Sequence, residues 1–197
     1  MNYHLLEENA ETFVTKLFTS PPAPQYPYHN LKHTASVVEH AKEIGHFYKL
    51  TPQDISVLVI AAWFHDTGQL SGPMEGHEDK SRLIMFNFMS GFQIPDEIVA
   101  EAGNCILATK VNAMPANLVE KIICDADTYH FGTDYFMKTE LLMKAEMELR
   151  TGEEFPHWHL NSIALLNKHV FYTEYCQLLL NEGKKKNTLW LKSCTDH

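Results

Sequence analysis

A chain of 197 residues with 45% apolar and 21% charged side chains has room for one globular domain with a substantial core. Sixteen basic against twenty-five acidic residues give a formal charge of −9, which argues against long nucleic acid as the main partner. The longest fully apolar run, VLVIAAWF at 57–64, is far short of the roughly 20 residues that span a bilayer, so no membrane partner is expected.

Apolar positions recur every three or four residues along most of the chain and two-residue alternation is scarce, so the predicted elements are helices. The first covers about 3–18 and ends before the prolines of SPPAPQYP. Its start, MNYHLLEENAETF, has an early acidic cluster and no charged-then-apolar signal pattern. A second helix runs over about 30–50. Thr51 as a cap and Pro52 at the first helical position open a third, which continues to about Asp66 with Gly68 to end it. Further helices are predicted over 78–90, 95–110, 116–125 and 133–150, then a long one over 157–181 and a short one near 185–193. GFQIPDE (91–97) and TGEEFP (151–156) read as connections.

With no repeat, low-complexity tract or linker, the expectation is one all-α domain over 1–197. The motifs discussed below lie at about 28–132, and a helical C-terminal extension at about 157–197 would close the core or mediate a homo-oligomer. The cysteines Cys105, Cys124, Cys176 and Cys194 form no CxxC pair, and a reduced cytoplasmic protein is the simplest reading.

The most informative stretch is ISVLVIAAWFHDTGQ at 55–69. Its helix is apolar on nearly every face and should be central, yet it ends in His65 and Asp66. A buried carboxylate is costly unless it is paired or bound to a metal. Taken alone, the dipeptide reads more simply as a cap or salt bridge beside a satisfied histidine. His33 changes that balance, because a short turn should pack its helix antiparallel to the His65 helix. An acidic pair, Asp125 and Asp127 in IICDADTYHFG, follows another apolar run. Imidazole from one helix, imidazole and carboxylate from a second and carboxylate from a third make a mixed nitrogen and oxygen set. Such a set suits Zn, Mn or Fe and, less comfortably, Mg.

The order His33, His65-Asp66, Asp127 resembles the HD superfamily of metal-dependent phosphohydrolases, supported by YHNLKHT, AAWFHDTG, GHEDKS, ILATK and CDADTYHFG. The resemblance implies an HD-type helical bundle around a buried metal site, with His33, His65, Asp66 and Asp127 binding a divalent ion (Mn, Fe, Zn, Ni or Mg). Family members place the last ligand directly after a small residue, which favours Asp127 after Ala126, with Asp125 as the rival. On a helix these two positions point about 200° apart, so only one would face the metal.

YHNLKH also resembles the signature of cyclic-nucleotide phosphodiesterases. By that match His29 is the general acid that protonates the leaving oxygen; the rival reading is a residue that caps or packs at the helix start. His77 would bind a second metal, as in dinuclear relatives, or stand as an exposed loop histidine, with Glu78 orienting it or capping a helix. Lys110 stands near where dinuclear members place further histidines; it reads as a phosphate-binding cation or as a simple surface lysine. Gln69 occupies the position of a water-activating glutamate in one nucleotidase branch and cannot act as a base. HDTGQL also lacks the acidic pair of alarmone hydrolases.

The expected function is hydrolysis of a phosphoester or phosphoanhydride on a small phosphorylated substrate, a nucleotide by preference, by metal-activated water. The alternatives are a catalytically inactive nucleotide-binding module, motivated by Gln69, a di-iron oxygenase, against which Lys110 counts, and a purely structural helical module. His40, His46, His130, His157, His159 and His169 match no ligand pattern and read as surface or satisfied histidines.

Overall fold

The computed structural model describes residues 2–194, and every regular element among them is helical. The elements are α1 (Tyr3–Thr19), α2 (Leu31–Phe47), α3 (Pro52–Phe64), α4 (His77–Met89), α5 (Asp96–Ala108), α6 (Leu118–Asp127), α7 (Phe136–Thr151), α8 (Trp158–Lys168) and α9 (Glu174–Ser193). Short 3-10 turns at Thr67–Leu70 and Tyr129–Gly132 follow α3 and α6. No helix among the described residues is long and apolar enough to cross a membrane.

Local chemistry explains most of the starts. Asn2, Asn30, Thr51 and Thr173 each sit in extended backbone, and each side chain accepts a hydrogen bond from an N–H of the first turn of its helix. Pro52 follows Thr51 at a position where no N–H is needed. Before α6, Asn117 and Glu120 bond reciprocally: Glu120 N–H donates to Asn117 Oδ1 and Asn117 Nδ2 donates to Glu120 Oε1.

The described residues group into two compact units, one of residues 2–25 with 29–127, the other of 26–28 with 128–194. In the first, α3 is the central element: every residue from Ser56 to Phe64 is buried, and α1, α2, α4, α5 and α6 pack around it. Leu58, Ile60 and Phe64 are fully buried, each contributing roughly 1.5–3 kcal/mol of transfer free energy. That enclosure is what an all-round apolar helix requires.

In the second unit, α9 packs against α8 and the Tyr129–Gly132 turn. A Cβ at Gly183 would run into the carbonyl oxygen of Gly132, and Asn187 Nδ2 donates to Phe131 O and Thr133 O at 2.9 Å each. Glu146, fully buried, accepts from Tyr28 N–H at 2.9 Å and lies 3.2 Å from Arg150 Nε, while the Arg150 guanidinium stacks 3.9 Å from the Tyr26 ring centroid.

Several boundaries differ from the sequence expectation. The long helix expected over 157–181 is two helices: His169 turns extended after α8, and the Thr173 side chain caps a new start by accepting from Cys176 N–H. The short helix expected near 185–193 is the last part of α9. The α3 helix ends at Phe64 and α2 at Phe47, while α6 runs on to Asp127.

Candidate metal centre

Helix starts and ends deliver the chemistry-bearing residues. His33 sits on the first turn of α2, where Asn30 Oδ1 accepts from the Lys32 and His33 N–H groups at 2.9 and 3.2 Å. His65 follows the last residue of α3, and its Nδ1 lies 2.8 Å from Ala62 O. A carbonyl can only accept, so Nδ1 carries the ring proton and the neutral ring presents a lone pair at Nε2. Asp66 begins the turn after α3, and Asp127 is the last residue of α6.

Gly68 brings α4 against this turn. Its N–H donates to Ser81 Oγ at 2.8 Å, and a Cβ there would collide with the His77 carbonyl oxygen, so only glycine permits the approach. His77 then sets Nε2 3.3 Å from Asp66 Oδ1, with Nδ1 3.0 Å from Met74 O and 3.5 Å from Glu78 Oε2.

The groups converge. His33 Nε2 lies 3.4 Å from Asp66 Oδ2 and 3.2 Å from Asp127 Oδ1; His65 Nε2 lies 3.2 and 3.5 Å from the same two oxygens. One donor atom each from His33, His65 and Asp127 falls within a 4.8 Å sphere of mutual distances, a group that could hold a metal ion. His29, almost buried, has its ring centroid 6.1 Å from that of His33 and 6.5 Å from that of His77. His33, His65, Asp66, His77, Asp127 and His29 are thus brought together. Asp125 is buried elsewhere on α6, and Asp127 is the aspartate beside the two imidazoles.

Lys110 is placed differently: its Nζ is 2.7 Å from Asp79 Oδ2 in an exposed ion pair. Asp79 and His77 are two residues apart on α4 and point about 200° apart, so this pair does not share the His77 face. Gln69 is buried within the 3-10 turn. Two histidines without a ligand pattern have local partners, His130 beside Tyr28 OH at 3.3 Å and His169 beside Thr128 Oγ1 at 3.0 Å. Sequence reasoning missed Asp79, Ser81 and the Met74 carbonyl, whose roles come from contacts across turns that no local pattern announces.

The electrostatics favour a cation. Burial opposes the imidazolium at His33 and His65, yet the Asp66 and Asp127 carboxylates outweigh it and raise both pKa values, His65 well above its ordinary value. Burial likewise opposes ionisation of Asp66 and Asp127, and the surrounding histidines outweigh it and hold both carboxyls low, Asp66 with a contribution from His29. His65 Nε2 is buried and makes no well-aligned hydrogen bond, although two carboxylate oxygens face it. The raised pKa puts a proton on Nε2 in the metal-free chain, and a divalent ion can take that proton's place between the nitrogen and the two carboxylates. Two imidazole nitrogens and two carboxylates around such an orphaned atom fit a divalent ion.

Comparisons with known proteins bear on the family and the fold. The HD domain family model matches residues 30–132, just over half of the chain. Among solved structures, the Lin1889 protein of Listeria innocua is 16% identical, with a TM-score of 0.66 over 98% of this chain and 95% of that one. A predicted HD superfamily hydrolase from an uncultured Thermotogales bacterium is 18% identical, with a TM-score of 0.62 over 100% of this chain and 98% of that one. At these identities the likeness is one of fold. No curated protein matches the sequence. With its motifs inside the matched region and their side chains gathered in one cluster, the chain belongs to the HD domain family.

Proposed function

We propose that the chain is a metal-dependent phosphohydrolase that hydrolyses a phosphoester or phosphoanhydride of a small cytoplasmic substrate, a nucleotide by preference. Membership of the HD domain family supports the reaction class. The observation that carries the reading is the convergence of His33, His65, Asp66 and Asp127, with one buried imidazole nitrogen lacking a well-aligned hydrogen bond. These four residues would hold one divalent ion, with His77 beside Asp66 as a further ligand. When bound, the ion supplies Lewis acidity toward a phosphoryl oxygen and lowers the pKa of water.

The chain's own residues supply the rest. The Ala62 carbonyl fixes the His65 ring so that Nε2 faces the cluster. His29, an imidazole beside His33 and His77, is the group to deliver a proton to the leaving oxygen. Lys110 can meet a phosphate only by leaving Asp79, and an exposed pair of this kind is held weakly.

The test is elemental analysis of protein purified without chelator, followed by phosphate release from a panel of nucleotides and simple phosphoesters. About one equivalent of metal per chain together with phosphate release supports the reading. Failure to take up Mn, Fe, Zn, Ni or Mg, with no phosphate release, ends it.

A further inference from the structure

Helix α3 ends where no proline stands to stop it. His65 keeps helical backbone angles (φ −50°, ψ −38°), and the chain leaves the helix at Asp66 with φ −106° and ψ 3°, in the sparsely occupied region between helix and strand. Had α3 continued, the Gly68 N–H would donate to the Phe64 carbonyl four residues back. Hydroxyls take both halves of that bond instead. Thr67 Oγ1 donates to Phe64 O at 2.8 Å, and the Gly68 N–H donates to Ser81 Oγ, on α4, at 2.8 Å. Phe64, Thr67, Gly68 and Ser81 are all buried, where an unpaired backbone group is costly. The Gln69 N–H closes the turn on Asp66 O at 2.9 Å. What the turn delivers is the Asp66 carboxylate, with Oδ1 3.3 Å from His77 Nε2 and Oδ2 3.4 and 3.2 Å from Nε2 of His33 and His65. An aspartate side chain is short, so reaching all of these nitrogens at once needs the backbone at 66 held at one setting.

We propose that Thr67 and Ser81 are positioning residues for Asp66. Their hydroxyls replace the bond that would extend α3, and thereby hold the backbone that aims the carboxylate at the imidazoles. Without either hydroxyl, Phe64 O and the Gly68 N–H regain a partner most directly by bonding to each other. That winds α3 onward and swings Asp66 off the cluster. The purpose of the arrangement rests on the proposed metal centre, but its hydrogen bonds do not.

Backbone carbon NMR shifts in the metal-free chain report whether Asp66, Thr67 and Gly68 lie in a helix or a turn. Ser81→Ala and Thr67→Val each remove one hydroxyl with little change of volume, and should move these shifts toward helical values. Thr67→Ser, which keeps the hydroxyl, should match wild type. In cobalt titrations followed by the visible spectrum, Ser81→Ala and Thr67→Val should bind about tenfold more weakly and with altered bands, and Thr67→Ser should recover both. A hydroxyl that only supported the fold would lower Tm and leave the affinity and spectrum of the folded chain unchanged. Turn-like shifts, or wild-type cobalt affinity and spectrum, in either variant that folds overturn the proposal. Each variant removes a different hydroxyl, so one that fails to fold leaves the other to decide. A wild-type chain that takes up no cobalt would end the metal-centre reading, while the carbon shifts still decide what the hydroxyls hold, so the two failures are distinguishable.

Discussion

Asp66 divides its two oxygens between different imidazoles: Oδ1 lies 3.3 Å from His77 Nε2, and Oδ2 lies 3.2 Å from His65 Nε2. A single carboxylate therefore joins α4 to the end of α3. Asp66→Ala should abolish both metal uptake and phosphate release while leaving the helical circular dichroism intact. His77→Ala leaves the His33, His65 and Asp127 group in place and should retain about one equivalent of metal. Elemental analysis of the two variants checks this, and equal metal content in Asp66→Ala and wild type would defeat the assignment.

The response to pH should reverse sign when metal is added. In the metal-free chain His33 and His65 have raised pKa values, because the Asp66 and Asp127 carboxylates outweigh burial. Their contribution to stability is fully present below the ordinary histidine value of about 6.5 and is lost as pH rises through the raised values. Asp66 and Asp127 are held low by the histidines against the effect of burial, so their contribution is present above about pH 4 and lost as pH falls through the lowered values. Metal competes with the imidazole protons, so its stabilising effect should grow from about pH 6 to about pH 8. Thermal melts with and without Mn across this range provide the comparison. A metal-free Tm that climbs steadily from mildly acidic to mildly alkaline pH is the contrary result.

Two glycines are fixed by close backbone approach. A Cβ at Gly183 would meet the Gly132 carbonyl and one at Gly68 the His77 carbonyl, whereas at Gly91 the nearest atom is 3.4 Å away. Gly183→Ala should cost about 3 kcal/mol in urea denaturation, and Gly68→Ala should also displace the start of α4 and weaken metal binding. Gly91→Ala should stay within about 0.5 kcal/mol of wild type. Similar midpoints for Gly183→Ala and Gly91→Ala would show that the crossing is looser than described.

Cysteine reactivity should be confined to one end of the chain. Burial pushes the Cys105 and Cys124 thiols far up, Cys176 is fully buried, and Cys194 is exposed. Cys124 also donates its S–H to Ala108 O at 3.1 Å. A thiol reagent applied to the folded protein at neutral pH should modify Cys194 quickly, with the other three following only on unfolding. Rapid modification of Cys124 in the native state, mapped by mass spectrometry, would contradict this burial.

The sequence alone determined what depends on neighbours a few residues apart. The all-round apolar run before His65 required a central helix, and Thr51-Pro52 and Asn30 marked helix starts, because burial pattern and capping are local. The residues of the cluster were also legible, through motifs whose order resembles a family. Tertiary structure decided the rest. The choice between Asp125 and Asp127 depended on which face of α6 meets α2 and α3, and packing put Asp127 beside His33 and His65. Lys110 found Asp79, 31 residues away, a pairing that no spacing rule could supply. The break between α8 and α9 falls where no proline or glycine stands; the chain turns at His169, and Thr173 starts a new helix. Helix propensity sums over a window and cannot register such a turn, whereas tertiary contacts outweigh it by fixing a few backbone angles in place.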